Sequence, residues 1–192
     1  MNKSPHRQGT ENTMKKALAF EPNTSIKPQV FPFFDKATNT FSYVVKDPAS
    51  SACAIIDSVM GFDYPSASTS YTGADEIIAH VKAMSLSVQW IIETHVHADH
   101  LSAAPYLQQK IGGKIAIGSN ITAVQKLFAK VYNLGDDFAQ DGSQFDRLLS
   151  DGDSYNIGTM TAHAIHTPGH TPACMVHVIG DAAFVGDTLF IP

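Results

Sequence analysis

Glu93-Thr94-His95-Val96-His97-Ala98-Asp99-His100 constrains this chain more than any other segment. It follows directly on the apolar run Val88–Ile92, which reads as a short buried strand. Three imidazoles and a carboxylate within six residues are the donor set that zinc and iron prefer. A strand delivering such a cluster presents it at a sheet edge, where layered α/β folds keep their sites. His95 and His97, two residues apart, leave an extended backbone on the same side. Asp99 and His100 come after the strand, where the chain turns toward a helix expected over Ser102–Ile111.

The flanking pattern supports an α/β reading. Val30–Phe34, Phe41–Val45 and Ala52–Asp57 read as strands of an opening antiparallel meander, and 61–71 as a loop. Thr72 is the expected cap of a helix buried through Ile77, Ile78, Val81 and Met84, with Asp75 completing the cap. Gly112-Gly113 stops the helix after the histidine cluster, and Lys114–Ile117 is the next strand. Ser119 or Asn120 then caps a helix with the stripe Ile121, Val124, Leu127, Phe128 and Val131. Residues 135–152 read as irregular, and four short strands close the chain: 155–157, 160–166, 175–179 and 182–185. Strand-rich ends around a helix–strand middle indicate a sheet sandwich with helices outside.

Two of those closing strands end in further candidate ligands. Thr167-Pro168-Gly169-His170 is a tight turn that holds His170 at a strand end, and Gly186-Asp187 places Asp187 likewise. The remaining polar candidates are weaker. His163, His166 and His177 read as core or surface histidines, His80 as surface, Cys174 as a small buried hydrophobe and Tyr106 as a core aromatic.

Composition narrows the classes. At 192 residues, 44% hydrophobic and 16% charged, the chain is a globular domain with a substantial core. A net charge of -5 without a basic cluster points away from nucleic acid and anionic membranes. No apolar run approaches the roughly 20 residues that span a bilayer. Residues 1–25 read as a disordered tail without a signal-peptide core, and 26–192 as one domain. Two distant cysteines, Cys53 and Cys174, suit a reducing, cytoplasmic compartment.

Thr94-His95-Val96-His97-Ala98-Asp99-His100, Thr167-Pro168-Gly169-His170 and Gly186-Asp187, in that order, resemble the metallo-β-lactamase superfamily. Within it, THVHADHLSAA, TPGHTPAC and FVGDTLF resemble the persulfide dioxygenases and the bacterial β-lactamase-like hydrolases. The resemblance covers about residues 30–192. It implies an α/β fold, a four-layer αββα sandwich with the metal between its halves. It also implies a longer protein, because the family continues past Ile191-Pro192 with a further half.

For persulfide dioxygenases it implies one Fe(II) per chain, held by His95, His170 and Asp187, with His97, Asp99 and His100 orienting ligands and substrate. The substrate is then glutathione persulfide, which O2 oxidises to sulfite with release of glutathione. The alternative within the superfamily is a dinuclear zinc hydrolase of thioesters or lactones, similar to glyoxalase II. There His95, His97 and His170 hold one Zn(II), Asp99, His100 and a later histidine hold the other, and Asp187 bridges. An inactive metal-binding fragment is a third reading, and a homodimer is a further expectation from the family.

Overall fold

The computed structural model describes residues 20–190, so most of the tail expected over 1–25 lies outside the described residues. Three β-branched and aromatic runs open the fold as an antiparallel meander: β1 (Gln29–Asp35), β2 (Thr40–Lys46) and β3 (Ala52–Ile56). β3 is buried at all five positions and also pairs in parallel with β6 (Ser87–Ile92). From there the sheet grows only in parallel, through β8 (Lys114–Gly118) to β9 (Arg147–Leu149). Parallel neighbours need crossovers, and helices supply them. α1 (Thr72–Ala83) precedes β6, α2 (Ala104–Ile111) precedes β8, and α3 (Ile121–Val131) precedes β9. A second, four-stranded sheet is an antiparallel meander of β10 (Ser154–Ile157), β11 (Met160–His166), β12 (Met175–Ile179) and β13 (Ala182–Phe184).

The alternation of side chains along each strand gives the first sheet two buried faces. Ile56, Ile92 and Leu149 meet Met160, Ala164 and Ile179 of the second sheet. The opposite face carries Cys53, Ile55 and Ile91 against Ile77 and Val81 of α1 and Leu107 of α2. Helices, sheet and sheet therefore form three layers of the expected four; a helical layer over the outer face of the second sheet is not among the described residues. Among the described residues no helix is long and apolar enough to cross a membrane. Cys53 and Cys174 are both buried free thiols.

Several local expectations change. Residues 61–71 are not a loop throughout: β4 (Val59–Asp63) pairs with β5 (Ser68–Ser70) and with β7 (Leu101–Ser102). β5 is fully exposed, so it carries no hydrophobic signal. β9 lies inside the span expected to be irregular, and at three residues it is too short to show a period. The cap of the first helix is Tyr71 rather than Thr72 and makes no side-chain bond, and the Asp75 carboxylate accepts the Tyr106 hydroxyl at 2.7 Å rather than closing a capping box. Met84 lies beyond this helix and is exposed. In α3 only Ile121 and Val124 of the expected stripe are buried, while Leu127 and Val131 are 57% and 63% exposed. The inward face runs through Gln125 and Ala129 instead, and the Gln125 amide is satisfied by Gln144 (2.8 Å) and the Gly142 amide (3.0 Å). His80 is not a surface residue, since its ring lies 4.5 Å from that of Phe31 where β1 passes over α1.

His177 sits in the core with Nδ1 3.0 Å from the Tyr155 hydroxyl and Nε2 without a partner among the described residues. Burial pushes its pKa down to about 4. The unfolded chain thus takes up a proton near pH 6.5 that the folded chain refuses until about pH 4. Stability is expected to fall over that window as pH drops, by on the order of 3 kcal/mol at its lower end. Urea unfolding at stepped pH checks this: His177→Phe should flatten the slope between pH 6.5 and 4 relative to the parent chain.

Candidate metal centre

Four strand ends converge at one edge of the sandwich. β6 leads into 93–100, β11 into the loop 167–174, β13 into a 3-10 turn at Gly186–Thr188, and β3 into Asp57. The Thr94 carbonyl accepts the Met175 amide at 2.9 Å, which locks the histidine segment to the second sheet. The loop carrying His170 is held by Cys174, whose sulfur lies 3.2 Å from the Thr171 amide. Thr167 and Thr188 share a hydroxyl contact of 2.9 Å that ties this loop to the turn carrying Asp187. Cys174 is buried as expected, and beyond that expectation its sulfur braces the His170 loop.

His95, His170 and Asp187 come together, their ligand atoms all within 4.8 Å of one another. His170 Nε2 lies 3.4 Å and His95 Nε2 3.9 Å from Asp187 Oδ2. His95 is 1% exposed, and its Nε2 has no hydrogen-bond partner among the described residues. An orphaned buried nitrogen is costly unless something occupies its lone pair. Burial, then the neighbouring charge of His97, holds the His95 pKa down at about 4, so the imidazole is neutral and its lone pair is free. Two imidazole nitrogens and a carboxylate oxygen facing one point fit a ferrous or zinc ion. His170 and Asp187, at 38% and 37% exposed, form the open rim of that point.

His97 faces elsewhere. Its Nε2 lies 3.3 Å from Asp57 Oδ1 and 3.4 Å from Glu93 Oε2. Burial works against charge on His97, but bonding to the two carboxylates outweighs it and raises its pKa to about 10. Asp57 is buried too, yet the His97 bond and the Thr94 backbone and hydroxyl bonds keep its carboxyl below the usual range. Burial, despite the bond to His97, pushes the Glu93 carboxyl upward. Asp99 is exposed and accepts the Thr40 hydroxyl at 3.4 Å, and His100 is buried with Nδ1–H on the Leu101 carbonyl at 3.2 Å and Nε2 without a partner among the described residues. His97, Asp99 and His100 also bring ligand atoms within 4.8 Å of one another. A cleft of about 700 Å³ reaches Asp57, His97, Asp99 and Asp187. A more apolar one of about 290 Å³ opens on His95, His97 and His100 beside Ile115, Ile117 and Phe145.

Asp57 was not anticipated as part of the site. An aspartate ending a fully apolar strand was the available signal, and its left-handed backbone (φ 52°) marks a position the surroundings enforce. Among the other candidates, His166 Nε2 lies 2.8 Å from the Pro172 carbonyl and 3.0 Å from Asn120, bracing the His170 loop from behind. His163 stacks on Phe20, and Tyr106 stacks on Tyr71 between α1 and α2, so neither joins the cluster.

Residues 35–192 match the family model of the metallo-beta-lactamase superfamily. The chain belongs to the metallo-β-lactamase superfamily. It is 54% identical over 170 residues to a probable metallo-hydrolase of Burkholderia pseudomallei, covering 83% of this chain and 58% of that protein. Glyoxylase B2 of Dictyostelium discoideum is 45% identical, with 86% of this chain and 57% of that protein covered. The human mitochondrial persulfide dioxygenase is 28% identical, with 82% and 51% covered. The crystal structure of ETHE1 from Myxococcus xanthus shares the fold at a TM-score of 0.63 and 23% identity, covering 85% of this chain and 59% of that one. The chain spans about half the length of the curated relatives it matches.

In this metallo-β-lactamase fold Gly186 is what lets Asp187 approach His95. A Cβ there would collide with the Thr94 hydroxyl and stand 2.9 Å from Thr94 Cβ, and the backbone is left-handed (φ 47°). Gly186→Ala is expected to displace Asp187 and weaken metal affinity by about 10- to 100-fold, measured by competition with a chromogenic chelator.

Proposed function

We propose that this chain carries the iron site of a persulfide dioxygenase that oxidises glutathione persulfide with O2 to sulfite and glutathione. The observation that carries the reading is the division of the imidazoles. His95 and His170 converge with Asp187, while His97 is taken up by Asp57 and Glu93. Two histidines and one carboxylate are the donor set of mononuclear non-haem iron oxygenases, with coordination positions left for substrate and oxidant. Iron bound there supplies the redox chemistry between O2 and sulfur. The protein's part is placement. Buried His95 fixes the floor, Thr94 Oγ1 at 3.0 Å from Nδ1 orients its ring, and half-exposed His170 and Asp187 form the rim beside the large cleft. That cleft is where a thiol peptide meets the site, so the reacting groups arrive already oriented. Buried free Cys53 and Cys174 suit a reducing, cytoplasmic setting.

A dinuclear zinc hydrolase is the second reading. It draws on the convergence of His97, Asp99 and His100 and on the similarity to proteins named as a metallo-hydrolase and a glyoxylase. The deciding experiment gives the iron-loaded chain glutathione persulfide under an oxygen electrode and assays sulfite. Oxygen uptake matched by sulfite is expected. Hydrolysis of a glutathione thioester by the zinc-loaded chain, with no oxygen uptake by the iron-loaded one, would overturn the dioxygenase reading. Silence in both assays would favour the inactive fragment.

A further inference from the structure

Two openings lead to the segment 93–100, and they differ in chemistry. The large cleft of about 700 Å³ is lined by three carboxylates, Asp57, Asp99 and Asp187. The small one, of about 290 Å³, is walled by Leu101, Pro105, Ile115, Ile117 and Phe145 and reaches the buried ring of His95. Among the described residues only His97 lines both, held between Asp57 and Glu93. The small pocket lies where the packing under the helices is interrupted. Ile115 belongs to the cluster beneath α1 and α2, Ile117 to a separate cluster beneath α3, and half-buried Phe145 packs against both. Close-packed interiors leave few gaps larger than a water molecule, and an apolar gap stays dry and takes up apolar guests such as xenon. Leu101, 46% exposed, stands at the mouth, while Ile115 and Ile117, at 5% and 1%, form the floor.

We propose that the small pocket is the docking site and route for O2, while the thiol peptide uses the large cleft. The inference rests on the dioxygenase reading of His95, His170 and Asp187. O2 is small, uncharged and apolar, so it partitions from water into an apolar pocket. A charged peptide is kept out by the cost of stripping water from its charges there. Separate entries let O2 arrive while the thiol peptide fills the cleft, and His97 is the wall between them.

The test presses xenon onto crystals of the whole chain, a readout that needs no metal, and measures both substrate dependences of the iron-loaded chain beside it. A xenon peak between Ile115, Ile117 and Phe145 is expected in the parent and should vanish in Leu101→Trp, which fills the pocket from its exposed mouth. In that variant the KM for O2 should rise by about 10-fold or more, the lower end of what a misfit of one methylene costs in an apolar pocket. Its KM for glutathione persulfide should stay as in the parent. Phe41→Trp, in the large cleft, should do the reverse. Phe145→Trp takes the place of Leu101→Trp if that variant does not fold. In a chain that consumes O2, the absence of a xenon peak there overturns the O2 route and leaves the dioxygenase reading standing. So does a KM for O2 that the pocket variant leaves unchanged or raises only together with the persulfide KM. A parent chain that consumes no O2 overturns both, wherever xenon binds.

Discussion

Asp187→Ala is expected to give a folded chain that no longer retains its metal. The side chain is 37% exposed and among the described residues its polar contacts are the two histidines, so its loss should change stability by less than about 0.5 kcal/mol. An ion held by His95, His170 and Asp187 would, by contrast, lose one of three donors and the charged one. Metal affinity is expected to fall by more than about 100-fold, beyond the effect usual for residues that merely support a ligand. Oxygen uptake should fall in step. Circular dichroism with elemental analysis after gel filtration checks both halves. A variant that keeps its metal would remove Asp187 from the site; one that unfolds would make it structural.

Asp57→Ala is expected to do the opposite, damaging the fold first. The carboxylate is buried, takes the Thr94 amide and hydroxyl, and faces His97 at 3.3 Å. Its removal strands a buried backbone donor and leaves the His97 imidazolium against Glu93 alone. Breaking a buried pair in this way costs about 3–5 kcal/mol. Against a total stability of about 5–15 kcal/mol that is a large share, and the melting temperature should drop by on the order of 10 °C. Alanine is also strained at the left-handed backbone of position 57, whereas asparagine tolerates it and keeps one acceptor oxygen. Asp57→Asn should therefore lose clearly less. Thermal unfolding of the two metal-free variants beside the parent separates this from any effect of metal loss.

The parts of the fold legible in the sequence are those with a strong period or a fully apolar run. β3, buried at every position, and β6, whose end Ile91-Ile92 is buried on both faces, stand out as strands, and Gly112 stops α2 with a left-handed backbone (φ 75°). β5 and β9 did not stand out, because three residues carry no period and β5 buries nothing. The stripe of α3 was misread for a related reason: a neutral amide, Gln125, occupies an inward position once Gln144 and Gly142 satisfy it. The convergence of His95, His170 and Asp187 was legible because each follows a strand within a turn of recognisable chemistry. Asp57 was not. Its role depends on Thr94 and His97, 37 and 40 positions away, and nothing local to Ile55-Ile56-Asp57-Ser58 reports that pairing. Which carboxylates meet His97 was hidden for the same reason, although the resemblance already set His97 apart from His95 and His170.

One ion between His95, His170 and Asp187 is the claim on which the account depends. A crystal structure of the chain purified without added metal, with anomalous data collected at the iron and zinc edges, tests it directly. The account predicts a single iron peak bound by His95 Nε2, His170 Nε2 and Asp187, with His97 still facing Asp57 and Glu93. Two zinc peaks about 3.5–4 Å apart, with His97 turned to one of them, would contradict it.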